Sequence, residues 1–79
     1  MDILNVIEVK NNDVVDITSF SVTDIQLMDD TIDDAERFFV IRLRSLNVIN
    51  EDDINNAIED GCYHGSNWSL SLIWSYVND

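Results

Sequence analysis

Residues 68–77 constrain the fold most. Trp68, Leu70, Leu72, Trp74 and Tyr76 alternate with Ser69, Ser71, Ile73, Ser75 and Val77. A period of two puts alternate side chains on opposite faces, so the segment is a strand with one large apolar face. Such a strand needs neighbours to pair with and a layer to bury that face. The large face is therefore expected to be core. Any Trp or Tyr left outside it would suit an interface anchor.

The partner strands are expected from the first part of the chain. Residues 3–10 are rich in β-branched residues, and Leu4, Val6 and Glu8 alternate with Asn5, Ile7 and Val9. Asn11-Asn12-Asp13 is a turn cluster, and residues 14–22 again favour a strand. Together these predict an opening β-hairpin. At 37–45, Phe39, Ile41 and Leu43 alternate with Val40, Arg42 and Arg44, which predicts a third strand with one buried and one basic, exposed face.

Residues 23–36 allow two readings. The strand pattern can run on through Ile25 and Leu27 into an acidic loop, which is the favoured reading. Alternatively, Thr23 with Gln26 forms a capping box, and Ile25, Met28, Ile32 and Ala35 recur at helical spacing. One helix is plainly signalled. Asn50 is the N-cap, Glu51, Asp52 and Asp53 fill the first turn, Ile54, Ala57 and Ile58 make an apolar stripe, and Gly61 stops it. The expected fold is α+β: one domain over residues 1–79, with an antiparallel sheet of three to four strands and one short helix packed on it.

Charge narrows the partners. Sixteen Asp and Glu face four Lys and Arg, for a formal net charge of −12. Direct nucleic-acid binding is disfavoured, because little positive charge is present to displace counterions. An anionic membrane surface repels such a chain, and no apolar run approaches the roughly 18 residues of a span. Met1-Asp2-Ile3-Leu4-Asn5 lacks a basic stretch and an apolar run, so no secretory leader is expected, and the single cysteine, Cys62, has no partner for an internal disulfide. A cytoplasmic location is expected. Nine Asn and ten Ile accompany only one Lys. Codon bias that raises Asn and Ile would raise Lys too, so the deficit points to selection against positive charge.

Reactive constellations are weak. Cys62 and His64 lack the second Cys/His pair that zinc requires, and they are expected in a short loop with no third orienting group. An EF-hand starting at Asp29 would put Asp34 where Gly belongs and Val40 where Glu belongs, and one starting at Asp30 would put Ile32 at a ligand position. No glycine-rich phosphate loop or Ser/His/Asp set is present. The sequence predicts no enzyme, no metal and no cofactor.

The carboxylates carry the functional signal. Asp24, Asp29, Asp30, Asp33, Asp34 and Glu36 form one run free of basic residues. Glu51, Asp52, Asp53, Glu59 and Asp60 form a second. Acids belong at a helix N-terminus, which accounts for Glu51 to Asp53. Glu59 and Asp60 lie at the other end, where the macrodipole disfavours them. A duplex carries about one charge per 1.7 Å of axis. A protein face displaying acids can imitate that array and occupy a basic groove. Asp outnumbers Glu twelve to four, and the shorter side chain holds its charge more rigidly.

In size, charge and its two acidic segments, 24–36 and 51–60, the chain resembles the small phage-encoded anti-restriction and anti-CRISPR proteins, several of which are DNA mimics. The resemblance implies an inhibitor of a bacterial DNA- or RNA-binding defence complex or nuclease, with these eleven acids as the partner-binding surface and a host-cell cytoplasmic location. Two alternatives stand beside it. One is an immunity protein or antitoxin for a basic toxin. The other is a small acidic adaptor or homodimeric interaction module.

Overall fold

The computed structural model describes residues 1–78. Four strands, β1 (Asp2–Lys10), β2 (Asp13–Ser21), β3 (Cys62–His64) and β4 (Trp68–Tyr76), form one antiparallel sheet in the order β2-β1-β4-β3. Between β2 and β3 the chain makes a 3-10 turn (Ile25–Leu27), a long helix α1 (Met28–Ser45) and a short helix α2 (Glu51–Asp60). The class is α+β, as expected, with one more helix than expected. No helix among the described residues is long and apolar enough to cross a membrane.

The hairpin forms where expected. Asn11 and Asn12 both have positive φ, 51° and 68°. A two-residue hairpin loop of the twist-matching type needs that pair of left-handed residues, and Asn tolerates the region better than most. Val15 is an extra residue in β2, because Glu8 pairs with Asp16 while Val9 pairs with Val14. β1 and β4 run side by side from Asp2 opposite Tyr76 to Lys10 opposite Trp68. The Met1 ammonium also donates to the Val77 carbonyl at 2.8 Å.

Residues 28–45 correct two expectations. The predicted strand at 37–45 and the favoured strand-and-loop at 23–36 are both replaced by the 3-10 turn and α1. Ile41 decides the matter. A strand would bury it between Phe39 and Leu43, yet it is 61 % exposed. The buried residues are Ala35, Phe39 and Leu43, at intervals of four. Over a nine-residue window, periods of two and four share positions 39 and 43, and only the longer run from Ala35 separates them. The charges agree with a helix: Asp29 and Asp30 lie in its first turn, and Arg42 and Arg44 in its last. Asp24, not Thr23, supplies the cap, accepting from the Gln26 backbone N–H at 3.0 Å. At the far end Asn47 takes φ 68°, and the Val48 N–H returns to the Leu43 carbonyl at 3.0 Å. That is a Schellman closure with its usual apolar contact, since Leu43 and Val48 share the core.

α2 is as predicted. The Asn50 side chain accepts from Asp52 N–H and Asp53 N–H at 2.9 and 3.2 Å, and Gly61 stops the helix at φ 76°. The core is Val6 and Leu70 from the sheet with Phe39, Leu43, Val48, Ile54 and Ala57 from the helical layer. Phe20 and Phe38 extend it with ring centroids 5.8 Å apart. β4 enters this core only with its first half. Leu70 is buried, but Trp74 is 47 % exposed and Tyr76 more so. The expectation that the whole large face is core is corrected to that extent.

Among the described residues, one charged side chain is buried. Glu8 shares the inward row with Leu4 and Val6 and is 4 % exposed. Arg42 of α1 donates to its Oε1 through Nε at 2.7 Å, and the Nη2 of the same guanidinium forms an ion pair with that oxygen, also at 2.7 Å. The expected basic exposed face of residues 37–45 is thus partly spent on tying α1 to the middle of the sheet.

Candidate functional site

α1 carries five acids within two turns. Rising about 1.5 Å per residue, Asp29 to Glu36 covers about 10.5 Å, or one carboxylate per roughly 2 to 3 Å of axis. That density approaches the one charge per about 1.7 Å of a duplex. The spacing splits them. Asp29, Asp33 and Glu36 lie at intervals of four and three on one flank. Asp30 and Asp34 face outward beside Arg37, which comes within 3.5 Å of Asp34. Asp24 is engaged as the cap described above.

The flank with Glu36 meets α2. Ile32 and Glu36 of α1, Ile58, Glu59 and Asp60 of α2, Gly61, and Leu4, Leu72 and Trp74 of the sheet line one open cleft of about 260 Å³. Three of the predicted acids, drawn from both runs, therefore converge on an apolar floor. Glu59 and Asp60 sit in the last turn of α2, which holds no basic residue. Those carboxylates face the negative end of the helix and gain nothing from it. Glu36 adds a third negative charge. The cleft joins a concentrated negative rim to a half-exposed indole and aliphatic walls. That combination fits a long cationic side chain, whose methylene stem covers apolar surface while its head meets carboxylate or aromatic face.

The other acids do not join this cleft. Glu51, Asp52 and Asp53 occupy the first turn of α2, about 10 Å away along the helix axis. Glu51 lies 3.5 Å from Arg44 at the end of α1. Asp52 and Asp53 cap their own helix electrostatically. The predicted partner surface thus divides into a cleft group (Glu36, Glu59, Asp60), an α1 array (Asp29, Asp30, Asp33, Asp34) and acids with local structural work (Asp24, Glu51, Asp52, Asp53).

Ile32, Ile58 and Leu72 were not expected at a site. Trp74 lies on the alternating face expected to be core, yet it is half in water. Cys62 and His64 also move. They lie on β3 rather than in a loop, opposite Ser71 and Ser69. Among the described residues no group of three or more His, Cys, Asp or Glu is gathered as a metal site. A second cleft of about 400 Å³, at the hairpin end, is lined by Asn11, Asn12, Asn67, His64, Ser66 and Trp68 among others. It holds amides and hydroxyls but no carboxylate.

No family model, curated protein or solved structure matches the chain.

Proposed function

We propose that the protein is an acidic inhibitor that mimics nucleic acid and occupies the basic groove of a bacterial DNA- or RNA-binding defence complex or nuclease. The α1 array stands in for a row of phosphates. The cleft at Glu36, Glu59 and Asp60 takes an Arg or Lys from the groove. The observation that carries the reading is the convergence of both acidic runs on that cleft, with two of its acids kept where the helix dipole opposes them. The target's cations would exchange condensed phosphate contacts for fixed carboxylates, so association is fast at low salt and falls steeply as salt rises. The reading requires a cytoplasmic protein, phage-encoded and acting in the host cell.

The test is capture from bacterial lysate by the tagged protein, eluted with salt or competing duplex DNA and identified by mass spectrometry. The parent should retain one nucleic-acid-binding complex that DNA displaces. The quadruple variant Asp29→Lys, Asp30→Lys, Asp33→Lys, Asp34→Lys should lose at least about tenfold in affinity for it, or about 1.4 kcal/mol. A folded quadruple variant that holds and inhibits the complex as well as the parent would end the acidic-face mechanism.

Exposed Trp74 and Tyr76 favour a second reading, an immunity protein or antitoxin for one basic toxin. There the aromatic anchors would dominate. Trp74→Ala would then weaken binding more than the charge reversals do.

A further inference from the structure

The strand register sorts charge between the two faces of the sheet. Residues directly opposite in antiparallel strands share a face. The helical layer covers the face of Leu4, Val6 and Glu8. The other face carries Ile7 opposite Ile17, Val9 opposite Val14, and Asn5 opposite Ile73. Every acid on a strand, namely Asp2, Glu8, Asp13 and Asp16, falls on the helix side by this register. Among the described residues, the strand positions of the open face hold no carboxylate, Lys or Arg. Its one titratable base is His64.

At the centre of this face, three polar side chains, Asn5, Ser19 and Ser75, are already paired with one another. Asn5 Nδ2 donates to Ser75 Oγ at 2.9 Å and to the Ile73 carbonyl at 3.1 Å, and Ser19 Oγ donates to Asn5 Oδ1 at 2.7 Å. This ladder crosses β2, β1 and β4. Groups satisfied inside the sheet need no new partner when water leaves, so desolvating this central ladder costs little. Around the ladder stand exposed isoleucines: Ile17 is 56 % and Ile73 47 % exposed.

We propose that the open sheet face is a self-association surface whose occupant is a second copy of this chain. Charge selects the occupant. At a net −12 per chain, contact through either helix would set carboxylates against carboxylates. Contact through the open faces sets neutral against neutral. Stacked sheets pack about 10 Å apart, and each helical layer lies about 10 Å beyond its sheet, so the two acidic layers stand about 30 Å apart. That is nearly four Debye lengths of about 8 Å at physiological salt, and their repulsion is largely screened. Nine-residue strands and a width of three to four strands give a footprint of roughly 30 by 15 Å, about 900 Å² counting both copies. This falls below the roughly 1,200 Å² of a standard interface. The dimer is two-fold, weak and concentration-dependent, and it points its acidic layers in opposite directions.

Salt separates this proposal from the one above. Groove binding weakens with salt, whereas the dimer strengthens as residual repulsion is screened. Sedimentation equilibrium over a wide range of protein concentration, at about 20 and about 500 mM NaCl, reads it directly. The expected result is a mass rising from 9.1 kDa towards twice that value, with tighter association at the higher salt. Ile73→Glu and Ile17→Glu should each weaken it by about tenfold or more. Ile41→Glu, on the outer side of α1, should leave it unchanged. A chain that stays at its monomer mass throughout overturns the proposal. So does association lost with Ile17→Glu but kept with Ile73→Glu, because that pattern places the contact on the β2 edge. The lysine reversals on α1 lie on the other layer and leave the open face intact, so failure of groove binding does not bear on this result.

Discussion

Glu8 has left water and depends on Arg42 for what it lost. A carboxylate so buried needs its lost solvation replaced, and here one guanidinium supplies both a hydrogen bond and an ion pair. The Arg42 side chain is 40 % exposed, which tempers the energy, because solvent screens the pair from one side. Arg42→Ala is expected to cost about 2 kcal/mol, since it strands the carboxylate. Glu8→Gln should cost less. Urea midpoints for both would check the order, and an unchanged midpoint for Arg42→Ala would refute the argument. Half of this pair is legible in the sequence. Glu8 falls in phase with Leu4 and Val6, so its inward direction follows from alternation. Arg42 does not, because a strand at 37–45 would have pointed it to solvent. Only with 28–45 helical does Arg42 leave the row of Phe39 and Leu43 at an angle that reaches the sheet.

At the scale of elements, the signals with local causes were the readable ones. The Asn-Asn hairpin, the Asn50 cap and the Gly61 stop each answer to a few adjacent residues. α1 failed because its first turn is dense in Asp and its later part is rich in Phe, Val and Ile. Those are weak helix formers locally, and tertiary burial of one stripe overrides them. The cleft depends on that helix, so no sequence argument could bring Glu36 beside Glu59 and Asp60. α2 offers a prediction at this scale. Replacing Glu59 and Asp60 by Gln and Asn removes two negative charges from a helix C-terminus. The double variant should gain about 0.5 to 1 kcal/mol in stability while losing partner affinity. Thermal unfolding beside a binding assay reads both. A variant that loses stability would show that these acids serve the fold rather than the cleft.

The molecule has two layers, and among the described residues its carboxylates lie on the helices, in the turn at Asp24, or on the helix-facing side of the sheet. Crowding carboxylates over the helical side raises the free energy of the folded state, and mobile ions relieve it. Raising NaCl from about 20 to about 500 mM should therefore lift Tm by several degrees. The effect should persist in dilute protein, where monomer dominates, and circular dichroism would follow it. A flat or falling Tm would mean that the ion pairs of Arg37, Arg42 and Arg44 outweigh the repulsion. Net charge was plain from composition. Its absence from the open sheet face was not, because each strand acid needed its register before its face was known.

The pairing of β1 with β4 has a temporal consequence. Their partners are separated by as many as 74 positions, from Asp2 to Tyr76. A chain made from its N-terminus produces β1 first and β4 last among the strands. β2 can zip onto β1 at once through its two-residue turn, and α1 can coil soon after. The inner edge of β1 must then wait, unpaired, until β4 is made. Such distant contacts slow folding, and an open edge bearing Leu4 and Val6 is a template for the wrong strand in the meantime. The nascent chain is thus most vulnerable to mispairing during the synthesis of α1 and α2, and that vulnerability ends with the arrival of a single nine-residue strand.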